Sequence, residues 1–196
     1  MMNDSFQQIV PLNTSFRGSQ AGSHEGPVGI WIREIALRLM VVLGGLVFLT
    51  SAVDAASPVE APEFELVTLD GQRYSKASLR GQPTLLVFWA PWCHFCQLEL
   101  PLLAKFYREN KPDQLRILTI AFADTRANVE DYVKDNPETF VFPTAYDQED
   151  QIAQKFGVSA TPTFVVMNEH GDLTLAHFGA RLNQNPRYQA FLESLR

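Results

Sequence analysis

The 196-residue chain holds only two cysteines, Cys93 and Cys96. Two thiols are too few for a small fold stapled by several disulfides, and too few for a four-thiolate zinc site. Charge is also sparse: 19% of residues are charged, and 16 Lys and Arg stand against 22 Asp and Glu, a net charge of -6. There is no basic run to neutralise phosphates, which argues against nucleic acid as a partner. No internal repeat is evident, and an apolar content of 46% is ordinary globular composition, enough for one domain of average size rather than for disorder or a fibre.

What the chain does have is one long uncharged stretch. Residues 39–53 carry no charge and are rich in Val, Leu and Gly, with Arg33 and Arg38 just before them. Counted back to Ile35, the run approaches the roughly 20 residues that a helix needs to cross hydrocarbon. It is apolar on all sides, which suits lipid better than a two-sided packing environment. Residues 35–55 therefore read as a transmembrane anchor or, with Val53-Asp54-Ala55 before Ala56 as a cleavage site, as a signal segment. Residues 1–34 read as a disordered cytoplasmic tail, because they are rich in Gly, Ser, Gln and Asn without helical or strand periodicity. The positive flank places residues 56–196 outside the cytoplasm as the folded domain.

Within that domain the pattern alternates between strand and helix. Residues 64–69 and 74–79 read as short elements before the turn at Gly81-Gln82-Pro83, and residues 84–90 as a buried central strand. A helix is expected over residues 93–109, kinked at Pro101, with Phe95, Leu98, Leu102 and Phe106 forming one buried stripe. A strand over 115–122, a helix over 126–136, a strand over 140–146 and a helix over 149–156 follow. Strands over 163–167 and 173–178 flank a turn, and a helix over 186–195 closes the chain. The expected fold class is α/β, with a central mixed β-sheet flanked by helices and preceded by the transmembrane or signal helix.

The two cysteines sit three apart at the start of the first long helix, which puts both sulfurs on one face and aims backbone N–H groups at Cys93. Cys93 should ionise easily. More thiolate but weaker intrinsic nucleophilicity leaves attack only about threefold faster, so the helix terminus tunes redox poise more than speed. Cys96, deeper in the helix, would be the resolving thiol. A purely structural disulfide is a poor alternative: closing a loop of about four residues removes only ~2 kcal/mol of unfolded-state entropy, against ~4.7 for a hundred-residue loop. Half a metal site is a second alternative, but His94, His170 and His177 lack zinc-motif spacing.

The stretch Phe88-Trp89-Ala90-Pro91-Trp92-Cys93-His94-Phe95-Cys96, with Pro101 and Gly157-Val158-Ser159-Ala160-Thr161-Pro162-Thr163, resembles the thioredoxin superfamily. The long N-terminal segment and the region from Ala121 to Tyr146 resemble its exported TlpA, ResA and DsbE branch. The resemblance covers about residues 60–195 and implies a thioredoxin-like fold with a redox-active Cys93-Cys96 pair as its only prosthetic chemistry. It further implies that Pro162 is cis, and that Thr161 and Pro162 lie against the dithiol and receive substrate backbone. Cytoplasmic members carry a buried Asp where this chain has Val87; in the ResA-like branch an acidic residue after the third apolar strand takes over, and the matching position is Asp124. Asp124 also suits a helix-capping role beside Thr125 and Arg126. His94, next to Cys93, would favour the thiolate and make the pair more oxidising. Trp92 and Phe95 are placed to flank an exposed sulfur and meet an apolar partner, and Trp89 to pack in the core.

The implied activity is disulfide exchange with protein disulfide or dithiol substrates, running as a reductase with a transmembrane thiol donor, often in cytochrome c maturation. The implied location is the bacterial periplasm or extracytoplasmic face, with the inner membrane holding the N-terminal helix. Two other classes share the fold. A peroxiredoxin-type peroxidase needs Thr or Ser where Ala90 stands, and a copper-binding chaperone using His177 as distal ligand spaces its cysteines one residue wider.

Overall fold

A computed structural model describes residues 58–110 and 114–195. The tail expected over 1–34 and the anchor or signal segment expected over 35–55 lie outside the described residues. No helix among the described residues is long and apolar enough to cross a membrane.

The elements run in chain order as β1 (Val59–Glu60), β2 (Glu65–Val67), β3 (Arg73–Ser75), α1 (Lys76–Leu79), β4 (Thr84–Trp89), α2 (His94–Asn110) and β5 (Arg116–Ala121). They continue with α3 (Arg126–Asp135), β6 (Thr144–Tyr146), α4 (Gln151–Lys155), β7 (Thr163–Met167), β8 (Asp172–Phe178) and α5 (Pro186–Ser194). Six strands form one mixed sheet in the order β1-β8-β7-β4-β5-β6, and β2 and β3 form a separate hairpin. Strands β4, β5 and β6 are parallel, with Thr84 opposite Arg116 and Trp89 opposite Ala121. Strand β7 turns antiparallel to β4, with Val87 opposite Phe164, and β8 pairs antiparallel to β7.

Every residue of β4 is buried, because this strand has a neighbour on each edge and a core on each face. Leu86 and Phe88 point into one apolar core with Phe64, Leu118, Ile120 and Phe156; Leu85, Val87 and Trp89 point into the other with Leu100, Leu103, Ile117 and Tyr188. A strand buried on both faces reads as an unbroken apolar run, as this one does. The last residue of β4 is thus held rigidly, and the chain leaves it directly into the dithiol motif.

Three expectations are corrected: which face of the helix after the dithiol is buried, the length of the strand over 140–146, and the start of the helix over 149–156. Helix α2 runs on through Pro101 as one element, and its buried side chains are Cys96, Leu100, Leu103 and Ala104. Most of the expected stripe faces out, Phe95, Leu98 and Leu102 being 54%, 52% and 57% exposed, while Phe106 packs half-buried against the core. At 100° per residue the two apolar stripes of this helix lie roughly 135° apart, and β4 and β7 receive the one that carries Cys96. The strand expected over 140–146 shortens to Thr144–Tyr146. The helix expected from residue 149 begins at Gln151, because Glu149 and Asp150 both have left-handed backbone, with φ of 57° and 55°.

Candidate functional site

The dithiol forms at the junction of β4 and α2. Beyond Trp89 the chain turns, with the Cys93 N–H donating to the Ala90 carbonyl at 3.1 Å and the Gln97 side chain donating to the Pro91 carbonyl at 2.9 Å. The Cys93 carbonyl accepts the first intrahelical bond, from Gln97 N–H at 3.1 Å, so Cys93 is the N-cap of α2. Its Sγ stands where a Ser or Thr oxygen usually caps, and accepts the Cys96 N–H at 3.1 Å. A thiolate formed here faces a backbone donor and the positive end of a 17-residue helix. The two cysteines are joined as a disulfide, with Cα atoms 5.2 Å apart.

Burial separates the two sulfurs. Cys93 keeps 4% of its surface accessible and Cys96 none. Both belong to the core that includes Val87, Trp89 and Phe164. Val87 is fully buried, so the strand position that carries Asp in cytoplasmic thioredoxins supplies no proton acceptor here.

The flanking residues divide between surface and support. Trp92 is 61% exposed, and its indole N–H donates to the Ala123 carbonyl at 3.0 Å. His94 is exposed at the first helical position, its ring 6.0 Å from that of Phe95. Thr161-Pro162 is a cis peptide bond; Pro162 is buried, Thr161 half-buried, and the Pro162 carbonyl accepts the Gly179 N–H at 2.9 Å. Asp124 is half-buried in the loop after β5. Its Oδ1 accepts the Thr125 N–H at 2.6 Å and the Asn128 side-chain N–H at 2.7 Å; the N-cap of α3 is Thr125, whose Oγ1 accepts the Asn128 backbone N–H at 3.3 Å.

His177 lies on β8, its ring nitrogens paired with the Ala180 carbonyl and the Asn185 side chain, both at 3.1 Å. Among the described residues no group of three or more His, Cys, Asp and Glu side chains could hold a metal ion.

The sequence reading missed the support behind the loop after β5. Ala123 has left-handed backbone, φ 55°, and its N–H donates to Asp150 Oδ1 at 2.7 Å. The Tyr146 hydroxyl donates to the Asp124 carbonyl at 3.1 Å. The Asp147 carboxylate, almost wholly buried, accepts the N–H groups of Ile152 and Ala153 at 2.8–3.0 Å and so caps α4. Burial, with the nearby charge of Asp150, pushes the Asp147 carboxyl above the usual carboxylate range despite those donors. A run of acids before a helix signals caps in a sequence, but not that Asp150 reaches a loop 27 residues away.

Residues 59–176 match the AhpC/TSA family. The chain belongs to this family. Among similar curated proteins, sporulation thiol-disulfide oxidoreductase A of Bacillus subtilis is 28% identical over 145 residues, covering 71% of this chain and 86% of its own. Thiol-disulfide oxidoreductase ResA of Geobacillus thermodenitrificans is 29% identical over 140 residues, covering 70% and 79%. A crystal structure described as a putative thiol:disulfide interchange protein DsbE from Chlorobium tepidum superposes with a TM-score of 0.62 at 23% identity, over 70% of this chain and 96% of that one. The last likeness establishes a shared thioredoxin-like fold. This AhpC/TSA member therefore carries a Cys-x-x-Cys pair on the fold on which its named relatives carry thiol-disulfide oxidoreductase activity.

Proposed function

We propose that the chain is an extracytoplasmic thiol-disulfide oxidoreductase, held at the membrane by residues 35–55, that reduces disulfides in protein substrates. The observation that carries this reading is the Cys93 Sγ at the N-cap of α2, bonded to the Cys96 N–H, with Cys96 fully buried behind it. In the reduced state, the Cys93 thiolate attacks one sulfur of a partner disulfide and expels the other as thiolate. Cys96 then loses its proton, attacks Cys93 Sγ and releases the partner's second sulfur. The partner gains two electrons, and the Cys93-Cys96 disulfide is left oxidised.

The buried side chains clustered with Cys96 among the described residues are apolar, so we assign the acceptor of its proton to Asp124. Thr161 and Pro162 take substrate backbone, and Trp92 and Phe95 take its apolar side chains. His94 tunes the pair toward the thiolate. A transmembrane thiol donor restores the dithiol, since no strong reducing buffer exists outside the cytoplasm. Paired cysteines awaiting haem in c-type cytochromes are the substrate class suggested by the resemblance.

The test is Cys96→Ser in the intact chain. Without the resolving thiol, partners should accumulate on Cys93 as mixed disulfides that dithiothreitol releases. Failure to trap any protein in the extracytoplasmic compartment would defeat the proposal, and the reduction potential of the unmodified pair gives the direction of flow.

A further inference from the structure

Ala123 is clamped from both sides. Its N–H donates to Asp150 Oδ1 at 2.7 Å, and its carbonyl accepts the Trp92 indole N–H at 3.0 Å. Both Ala123 and Asp150 hold left-handed backbone, as does Glu149. Such a conformation costs a non-glycine residue of this kind free energy that surrounding contacts must offset. Two left-handed residues, Ala123 and Asp150, therefore meet at one hydrogen bond between the loop after β5 and the turn before α4, with Glu149 next to it in the chain. The Tyr146 hydroxyl, bonded to the Asp124 carbonyl, fixes the next residue of the same loop.

We infer that Asp150 is a positioning residue for the dithiol site: through Ala123 it holds the Trp92 indole beside Cys93 and sets where Asp124 stands at the rim. This rests on the reading of Cys93 and Cys96 as an exchange pair. The carboxylate fits the task because a charged acceptor bonds an amide more strongly than a neutral one. Asp and Asn also tolerate left-handed backbone better than other side chains. The indole would otherwise be free to swing, since Trp92 is mostly exposed and little packing restrains it.

The test compares the intact chain with Asp150→Gly, Asp150→Asn and Trp92→Phe. Glycine removes the acceptor yet suits a φ of 55°, so the clamp is lost without added strain. Asparagine keeps an amide oxygen for the Ala123 N–H. The first readout is the indole ¹⁵N-¹H resonance of Trp92, assigned by its loss in Trp92→Phe, and its rate of exchange with water. Asp150→Gly should move that resonance and speed its exchange; Asp150→Asn should leave both near the original. The second readout is turnover of insulin disulfides: Asp150→Gly should raise KM about tenfold, equivalent to ~1.4 kcal/mol, with kcat changed less than about twofold. Asp150→Asn should restore most of that, and Asp150→Gly should add little on Trp92→Phe, as groups acting through one contact do.

An unmoved indole resonance in Asp150→Gly overturns the inference. So does a KM effect that persists in full without Trp92. No insulin turnover by the unmodified chain would count against the exchange reading itself, and the indole resonance would still decide the clamp.

Discussion

Leu98 and Leu100 are two residues apart on one helix, yet α2 turns them to opposite environments. Leu100 is 2% exposed, packed in the core with Leu85 and Cys96, whereas Leu98 is 52% exposed. Truncating each to Ala changes helix propensity equally, so the difference between the variants isolates burial. Leu100→Ala should cost about 3 kcal/mol, within the usual range for a buried leucine that leaves a cavity. At an unfolding entropy of about 2.1 cal/mol/K per residue over roughly 140 residues, that lowers Tm by about 10 °C. Leu98→Ala should stay within about 0.5 kcal/mol, or about 2 °C. Thermal unfolding of the oxidised protein, followed by near-UV circular dichroism, reads both. The same pair separates the functional roles. Covering the exposed half of Leu98 with an apolar partner is worth about 1 kcal/mol, so Leu98→Ala should raise KM for a protein disulfide roughly fivefold. Its rate with dithiothreitol should be unchanged. Equal Tm losses in the two variants would refute the assignment of faces and restore the buried stripe first read from the sequence.

Other outcomes follow from the site and its support. Because burial raises the Asp147 carboxyl above its ordinary range, folding favours the protonated form. The stability tied to this group is full below the ordinary carboxylate range and is lost as pH rises through the raised folded value. Urea unfolding across that window should show the fall, and Asp147→Asn should flatten it. His94→Ala should lower the reduction potential of the pair by about 10–30 mV, measured against glutathione, because a side chain favouring the reduced thiolate is gone. Asp124→Ala should destabilise by about 1 kcal/mol by removing the acceptor of the Thr125 and Asn128 N–H groups, and should slow release of a mixed disulfide from Cys93; Asp124→Asn should restore the first effect and not the second. Stopped-flow tryptophan fluorescence would follow that release.

The parts legible in the sequence are those set by local pattern. Strands β4 and β7 are continuous apolar runs buried throughout, and β8 follows the turn at Gly171. The dithiol and the proline at 162 were legible as motifs, and the N-cap position leaves Cys93 slightly open while Cys96 is fully buried. What escaped is what depends on contacts between distant segments. Strand β1 is two residues long and exists through its pairing with Leu173 and Asp172. Helix α1 is a single turn, held by reciprocal bonds between Ser75 and Ser78. Helix α2 offers two apolar stripes, and only the arrival of β4 and β7 decides which is buried. Asp150 reads as one more acid before a helix until the loop at Ala123 is brought to it.

The depth of Cys93 has a consequence for what can react with it. Cys93 keeps only 4% of its surface open, while its chain neighbours Trp92 and Phe95 are 61% and 54% exposed. Attack on a disulfide needs three sulfurs nearly in line, so a bond held flush with the surface of a rigid globule should not reach a sulfur this deeply covered. A bond carried on a slack or protruding stretch of polypeptide should reach it. Burial of this one sulfur would then sort disulfides by their freedom to bend inward, and pass over those sealed inside finished folds.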